Sequence, residues 1–189
     1  MGSYQKKIIR IDDHMAIGLA GLAPDARVLS NYMRQQAMSS KSVYNRPLPI
    51  SRIVKKLGEK AQANTQTYGK RPYGVGLLVA GVDETGPHLW EFLPSGSVLE
   101  YIATGIGARS QSARTYLEKQ VNEFSDCSKE DLVLHGLRSL RETLAKDKEL
   151  TVQNTSIGIV GINERFQFFD EEDTREWLEK LGDVSSSRK

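Results

Sequence analysis

The chain has 189 residues, 39% of them hydrophobic and 26% charged, with a net charge of +2 and a single cysteine. That length allows one domain with a sizeable core. The small, dispersed positive charge gives no support to a nucleic-acid partner, the lone Cys127 excludes an intramolecular disulfide, and no apolar run reaches the ~20 residues that span a membrane.

In chain order, residues 4–11 read as a strand, Asp12-Asp13-His14 as a turn, and residues 15–20 as a short apolar strand. Gly21-Leu22-Ala23-Pro24-Asp25 then opens a helix, with Pro24 near its first position and an acidic residue in its first turn. Leu22, Ala26, Leu29, Met33 and Ala37 give it an apolar stripe at three- and four-residue spacing. A second helix starts near Ile50, with Ile50, Ile53, Val54, Leu57 and Ala61 on its apolar face. Lys55, Lys56 and Lys60 are read as a solvated face.

The run Arg71-Pro72-Tyr73-Gly74-Val75-Gly76 stops that helix and starts a strand. Pro72 turns Arg71 away from helical geometry, and the two glycines suit close approach of another backbone. Residues 77–82 are apolar at every position, which predicts a strand covered on both faces. Turn signals at 83–87 and 94–96 divide two more strands, 88–93 and 98–104. The next helix carries Ala113, Tyr116, Leu117, Val121 and Phe124. Ser128-Lys129-Glu130-Asp131 resembles a capping box for another helix, striped by Val133, Gly136, Leu137, Leu140 and Leu144. Strands at 157–161 and 166–169 precede a final helix, capped by Asp170 to Asp173, with Trp177, Leu178 and Leu181 turned inward. The order β-β-α-α-β-β-β-α-α-β-β-α is not that of a doubly wound fold. It predicts two stacked antiparallel sheets with a helix pair on each outer side. Residues 1–182 are expected to form a single domain and 183–189 a flexible tail.

No local catalytic signature emerges. Asp12-Asp13-His14 is read as a turn rather than a metal site, and Asp170 to Asp173 as a helix cap. Gly105-Ile106-Gly107 lacks the third glycine of a dinucleotide fingerprint, position 110 being Ser110. Cys127 has no recognisable histidine partner nearby, and His88 and His135 are read as packing or surface residues.

Several blocks together resemble the alpha-type subunits of the 20S proteasome core particle. They are Gln5-Lys6-Lys7-Ile8, the run from Ala20 to Arg27, Arg71-Pro72-Tyr73-Gly74-Val75-Gly76, the run from Ile106 to Ala113, Arg114-Thr115-Tyr116-Leu117-Glu118 and His135-Gly136-Leu137-Arg138. Their wording is most similar to the eukaryotic alpha type-1 branch, alpha-6 by ring position. The resemblance implies an α/β (α+β) fold, the four-layer α-β-β-α sandwich of the amino-terminal nucleophile hydrolases. It also implies a non-catalytic subunit of the outer alpha ring of a threonine endopeptidase complex, acting in ATP- and ubiquitin-dependent protein degradation in cytoplasm and nucleus. Expected partners are other alpha subunits, beta-ring subunits, and regulatory-particle ATPases or other activators, with no cofactor, metal, nucleic acid or membrane. Carried over residue by residue, Lys7 pairs with the terminal carboxylate of an activator tail in a pocket between neighbouring alpha subunits, and Gly21 and Leu22 supply its backbone and apolar wall.

The family pattern begins with a gating tail, a helix and two strands ahead of the segment matching Ser3. Their lack implies a truncated sheet with a bare edge, a poorly soluble or oligomeric chain, and no pore gating. Two other readings stand beside the ring subunit. One is a truncated isoform acting as a binding or adaptor module outside the particle. The other is an independent amide hydrolase, which would need Ser3 exposed as the first residue.

Overall fold

The computed structural model describes residues 7–66 and 69–186. The chain divides into two compact units, residues 1–102 with 158–167, and residues 103–157 with 168–189.

The first unit is built on an antiparallel sheet of five strands in sequential order: β1 (Ile8–Asp12), β2 (Met15–Gly21), β3 (Val75–Asp83), β4 (Gly86–Phe92) and β5 (Val98–Tyr101). Residues 4–6 of the expected first strand lie outside the described residues. Two helices, α1 (Ala23–Tyr44) and α2 (Ile50–Gln66), sit between β2 and β3 in sequence. The α2 stripe is as expected: Ile50, Ile53, Val54, Leu57 and Ala61 have no exposed surface. They share one core with Leu29 and Met33 of α1 and with Val75, Leu77, Val79 and Phe92 of the sheet.

The start of α2 is held from the sheet, because Asp83 Oδ2 accepts the Ile50 N–H at 3.1 Å. The fit is close there. A Cβ on Gly81 would stand 2.4 Å from Ile50 Cδ1 and 3.0 Å from the His14 carbonyl oxygen. Helix α1 ends at Asn45, whose left-handed backbone (φ 53°) returns its N–H to the Lys41 carbonyl.

Two expectations shift. The α1 stripe holds at Ala26, Leu29, Met33 and Ala37, but Leu22 precedes the helix and is 53% exposed. Strand β3 is fully covered on one face only. Val75, Leu77, Val79 and Gly81 are buried, whereas Gly76, Leu78, Ala80 and Val82 are half-buried. An unbroken apolar run reports that water is disfavoured on both faces, not how completely each is covered.

The second unit contains α3 (Ser110–Gln120), α4 (Lys129–Arg141) and α5 (Arg175–Ser186). Ser128 caps α4 as its sequence suggests, its Oγ accepting the Asp131 N–H at 3.1 Å. The buried side of α4 is rotated from the expected stripe. Leu134, His135, Leu137 and Ser139 are buried, while Leu140 is 41% exposed and Gly136 is also exposed. His135 takes an inward position because its ring finds hydrogen-bond partners and packs edge-on against Phe124 at 5.2 Å. Helix α5 continues to Ser186, and residues 187–189 of the expected tail lie outside the described residues. Trp177 meets Phe169 edge-to-face at 6.2 Å.

A hairpin of β6 (Ser156–Gly161) and β7 (Glu164–Asp170) forms the second sheet. Its tip belongs to the first unit, where Phe166 N–H donates to the Asp13 carbonyl at 2.7 Å. Among the described residues no helix is long and apolar enough to cross a membrane.

Candidate functional site

The end of β2 gathers the three residues singled out above. Lys7 is exposed just before β1. Its carbonyl accepts the Leu19 N–H at 2.9 Å, which sets it beside β2 two residues short of Gly21. Gly21 closes the strand with φ +118°, a conformation that suits glycine. Leu22 follows with its side chain half exposed. All three therefore lie at one corner of the sheet.

Gly21 is required by the protein's own backbone. A Cβ there would come within 2.4 Å of the Gly74 carbonyl oxygen. That oxygen accepts the Leu22 N–H at 2.9 Å. A Cβ on Gly74 would in turn lie 2.6 Å from Leu22 Cδ1. The two glycines are thus paired, and each makes room for the other segment.

Behind this contact lies an ion pair that the sequence did not disclose. Asp25, in the first turn of α1, is buried, with 8% of its side chain exposed. It accepts two hydrogen bonds from Arg71, Nη1 at 2.8 Å and Nη2 at 2.7 Å, and a third from the Gly74 N–H at 2.7 Å. The Arg71 guanidinium, with the Gly74 amide, holds its carboxyl down at about 2. Read locally, Asp25 is an acidic residue favouring a helix start. Its partner is 46 residues away, so spacing within the helix carries no trace of it.

Other residues with possible chemistry are placed as follows. Asp12 accepts the Asp13 N–H at 2.7 Å and the Lys41 ammonium at 2.8 Å, and Asp13 pairs with Arg10. Cys127 and His135 line one cavity of about 490 Å³ in the second unit. They are not bonded to each other. The thiol donates to the Phe124 carbonyl at 3.3 Å, and the imidazole lies 2.9 Å from the Tyr116 hydroxyl and 3.3 Å from Glu123. His88 lies between Glu100 and Asp83 at 2.6 and 3.3 Å, which raises its pKa, with the Glu100 hydrogen bond as the main cause.

The family model described as "Proteasome subunit" matches residues 1–160. The chain belongs to the proteasome subunit family. Its helices and antiparallel sheets are those of the proteasome form of the amino-terminal nucleophile hydrolase fold. This proteasome subunit is 61% identical to the probable proteasome subunit alpha type-6 of Schizosaccharomyces pombe, over 97% of this chain and 67% of that protein. It is 51% identical to proteasome subunit alpha type-6 of Saccharomyces cerevisiae, over 94% of this chain and 76% of the relative. Against proteasome subunit alpha type-1 of Dictyostelium discoideum the identity is 48%, over 96% of the chain and 73% of the relative.

Proposed function

We propose that this chain is a non-catalytic structural subunit of the outer alpha ring of the 20S proteasome core particle. In this reading it supports ring assembly and the docking of regulatory particles in ATP- and ubiquitin-dependent protein degradation, in cytoplasm and nucleus. The observation that carries the reading is the match to alpha type-6 and type-1 subunits at 48–61% identity over nearly the whole chain. Its partners are then the neighbouring alpha subunits, the beta ring, and regulatory ATPases or other activators.

The corner formed by Lys7, Gly21 and Leu22 is the proposed place where an activator's carboxyl-terminal tail docks. An exposed ammonium pairs with a terminal carboxylate through a charge-assisted hydrogen bond. The half-exposed Leu22 side chain offers an apolar wall to the last side chains of the tail. In this reading Gly21 is the backbone that the tail meets. The rigid pairing of Gly21 with Gly74 keeps the cost of ordering that backbone low on binding.

The test is assembly. A tagged copy of the chain, expressed in eukaryotic cells, is purified by its tag and followed by sedimentation and mass spectrometry. Co-sedimentation with a particle containing other alpha and beta subunits is expected. A small, stable species free of other subunits would overturn the proposal, as would peptide hydrolysis by the isolated chain.

A further inference from the structure

We infer that Arg71, acting through Asp25, is a positioning residue for the tail-docking corner of Lys7, Gly21 and Leu22. The inference rests on the docking role proposed above and extends it to a pair of residues outside the docking corner.

The argument is a chain of short contacts. Arg71 grips the Asp25 carboxylate with both terminal nitrogens, and the same carboxylate accepts the Gly74 N–H. Gly74 is thereby fixed from its amide side. Its carbonyl accepts the Leu22 N–H at 2.9 Å. Its Cα faces the Leu22 side chain so closely that no methyl group fits between them. Gly21, the neighbouring residue, is pressed against the same carbonyl. Both residues proposed to meet the tail are therefore held by one residue, Gly74, through its carbonyl and Cα, and the Asp25–Arg71 pair holds the amide on its other side.

The exposure pattern separates the roles. Asp25 has 8% of its side chain exposed and Arg71 65%. Arg71 contributes little to the core, so its removal should alter Asp25 and Gly74 more than the fold. An unpaired buried carboxylate would either draw in water or protonate, and both loosen its hold on the Gly74 amide. Bidentate geometry makes the arginine specific: a lysine supplies the charge without the fork.

The experiment uses assembled particles containing the tagged chain, probed with a photoreactive peptide that ends in an apolar residue and a free carboxylate. Label recovered on this chain is measured against peptide concentration, with the carboxamide-ended peptide as control. For Arg71→Ala, half-maximal labelling is expected at about tenfold higher peptide, the scale of a lost charge-assisted contact. Arg71→Lys should fall between Arg71→Ala and the parent, and Asp25→Asn should match Arg71→Ala. Adding Lys7→Ala to Arg71→Ala should cost less than the product of the two single effects, because both act on one site. If Lys7→Ala weakens labelling and the Arg71 and Asp25 variants do not, the positioning inference falls and the docking role stands. If Lys7→Ala leaves labelling unchanged, or the carboxamide peptide labels equally well, both fall. Variants that lower melting temperature while keeping the parent's half-maximal concentration reveal a merely structural pair and also overturn the inference.

Discussion

The two units solve the burial problem differently. In the first, helices lie on a sheet, and Phe92, Leu29, Met33, Ile53 and Leu57 keep no exposed surface. In the second, Leu117, Leu134, Leu137 and Leu181 retain 4–8% exposure, and a buried histidine shares the interior with them. A broad sheet lets long apolar rows interlock with α1 and α2. The narrow stripes of α3, α4 and α5 leave their outer carbons nearer to water. The proposed docking corner stands on the more tightly packed unit, which suits a site whose geometry depends on backbone held in place.

The largest effect that would test this contrast is core truncation. Phe92→Ala should lower unfolding free energy by about 3–5 kcal/mol, and Leu137→Ala should sit near the lower end of about 2–5 kcal/mol. Denaturant titration followed by circular dichroism measures both, and equal losses would break the comparison.

Next come two glycines of opposite character. Gly81→Ala forces a methyl group against Ile50 and the His14 carbonyl and should cost about 1–3 kcal/mol. Gly136→Ala, in the exposed interior of α4 with nothing within 4 Å, should stabilise by up to about 1 kcal/mol. A destabilising Gly136→Ala would show that α4 is packed more closely than its exposure indicates.

A smaller effect concerns acid. The Asp25 carboxyl is depressed from 3.8 to about 2 in the folded chain. Its contribution is therefore complete above about pH 4 and is lost as pH falls towards 2. Thermal melts between pH 5 and pH 2 should show a steeper decline for the parent than for Asp25→Asn, which has already lost the charge. Parallel curves would remove the pair from the account of the first unit. The smallest effect is expected at Arg175, whose pairing with Glu172 on the second unit is exposed on both sides. Arg175→Ala should leave the melting temperature unchanged.

Much of the local structure could be read in advance, for identifiable reasons. The α2 stripe has five apolar residues at helical spacing beside a charged face, so only one orientation buries it. The Ser128 cap is a contact between residues three apart. Where reading failed, the deciding partner was remote. The helix that carries α4's stripe offered two neighbouring apolar faces, and the choice was made by Tyr116, Glu123 and Phe124 receiving His135. Leu22 fits the spacing of α1 yet stands at its N-cap with an extended backbone (φ −72°, ψ 112°), its N–H tied across to the Gly74 carbonyl. Family likeness points to Lys7, Gly21 and Leu22, and folding places them at one corner. The clamp behind them had no local sign.

Periodicity and turn chemistry act between residues a few positions apart, so the order of helices and strands, the caps and the wording that marks a proteasome subunit were all determined by the sequence alone. The meeting of Asp25 with Arg71, and of Gly21 with Gly74, was decided only when β2 paired with β3 in register, Gly21 opposite Val75. That pairing is a long-range event driven by burial of the whole sheet face, and no short window of sequence contains both sides of it.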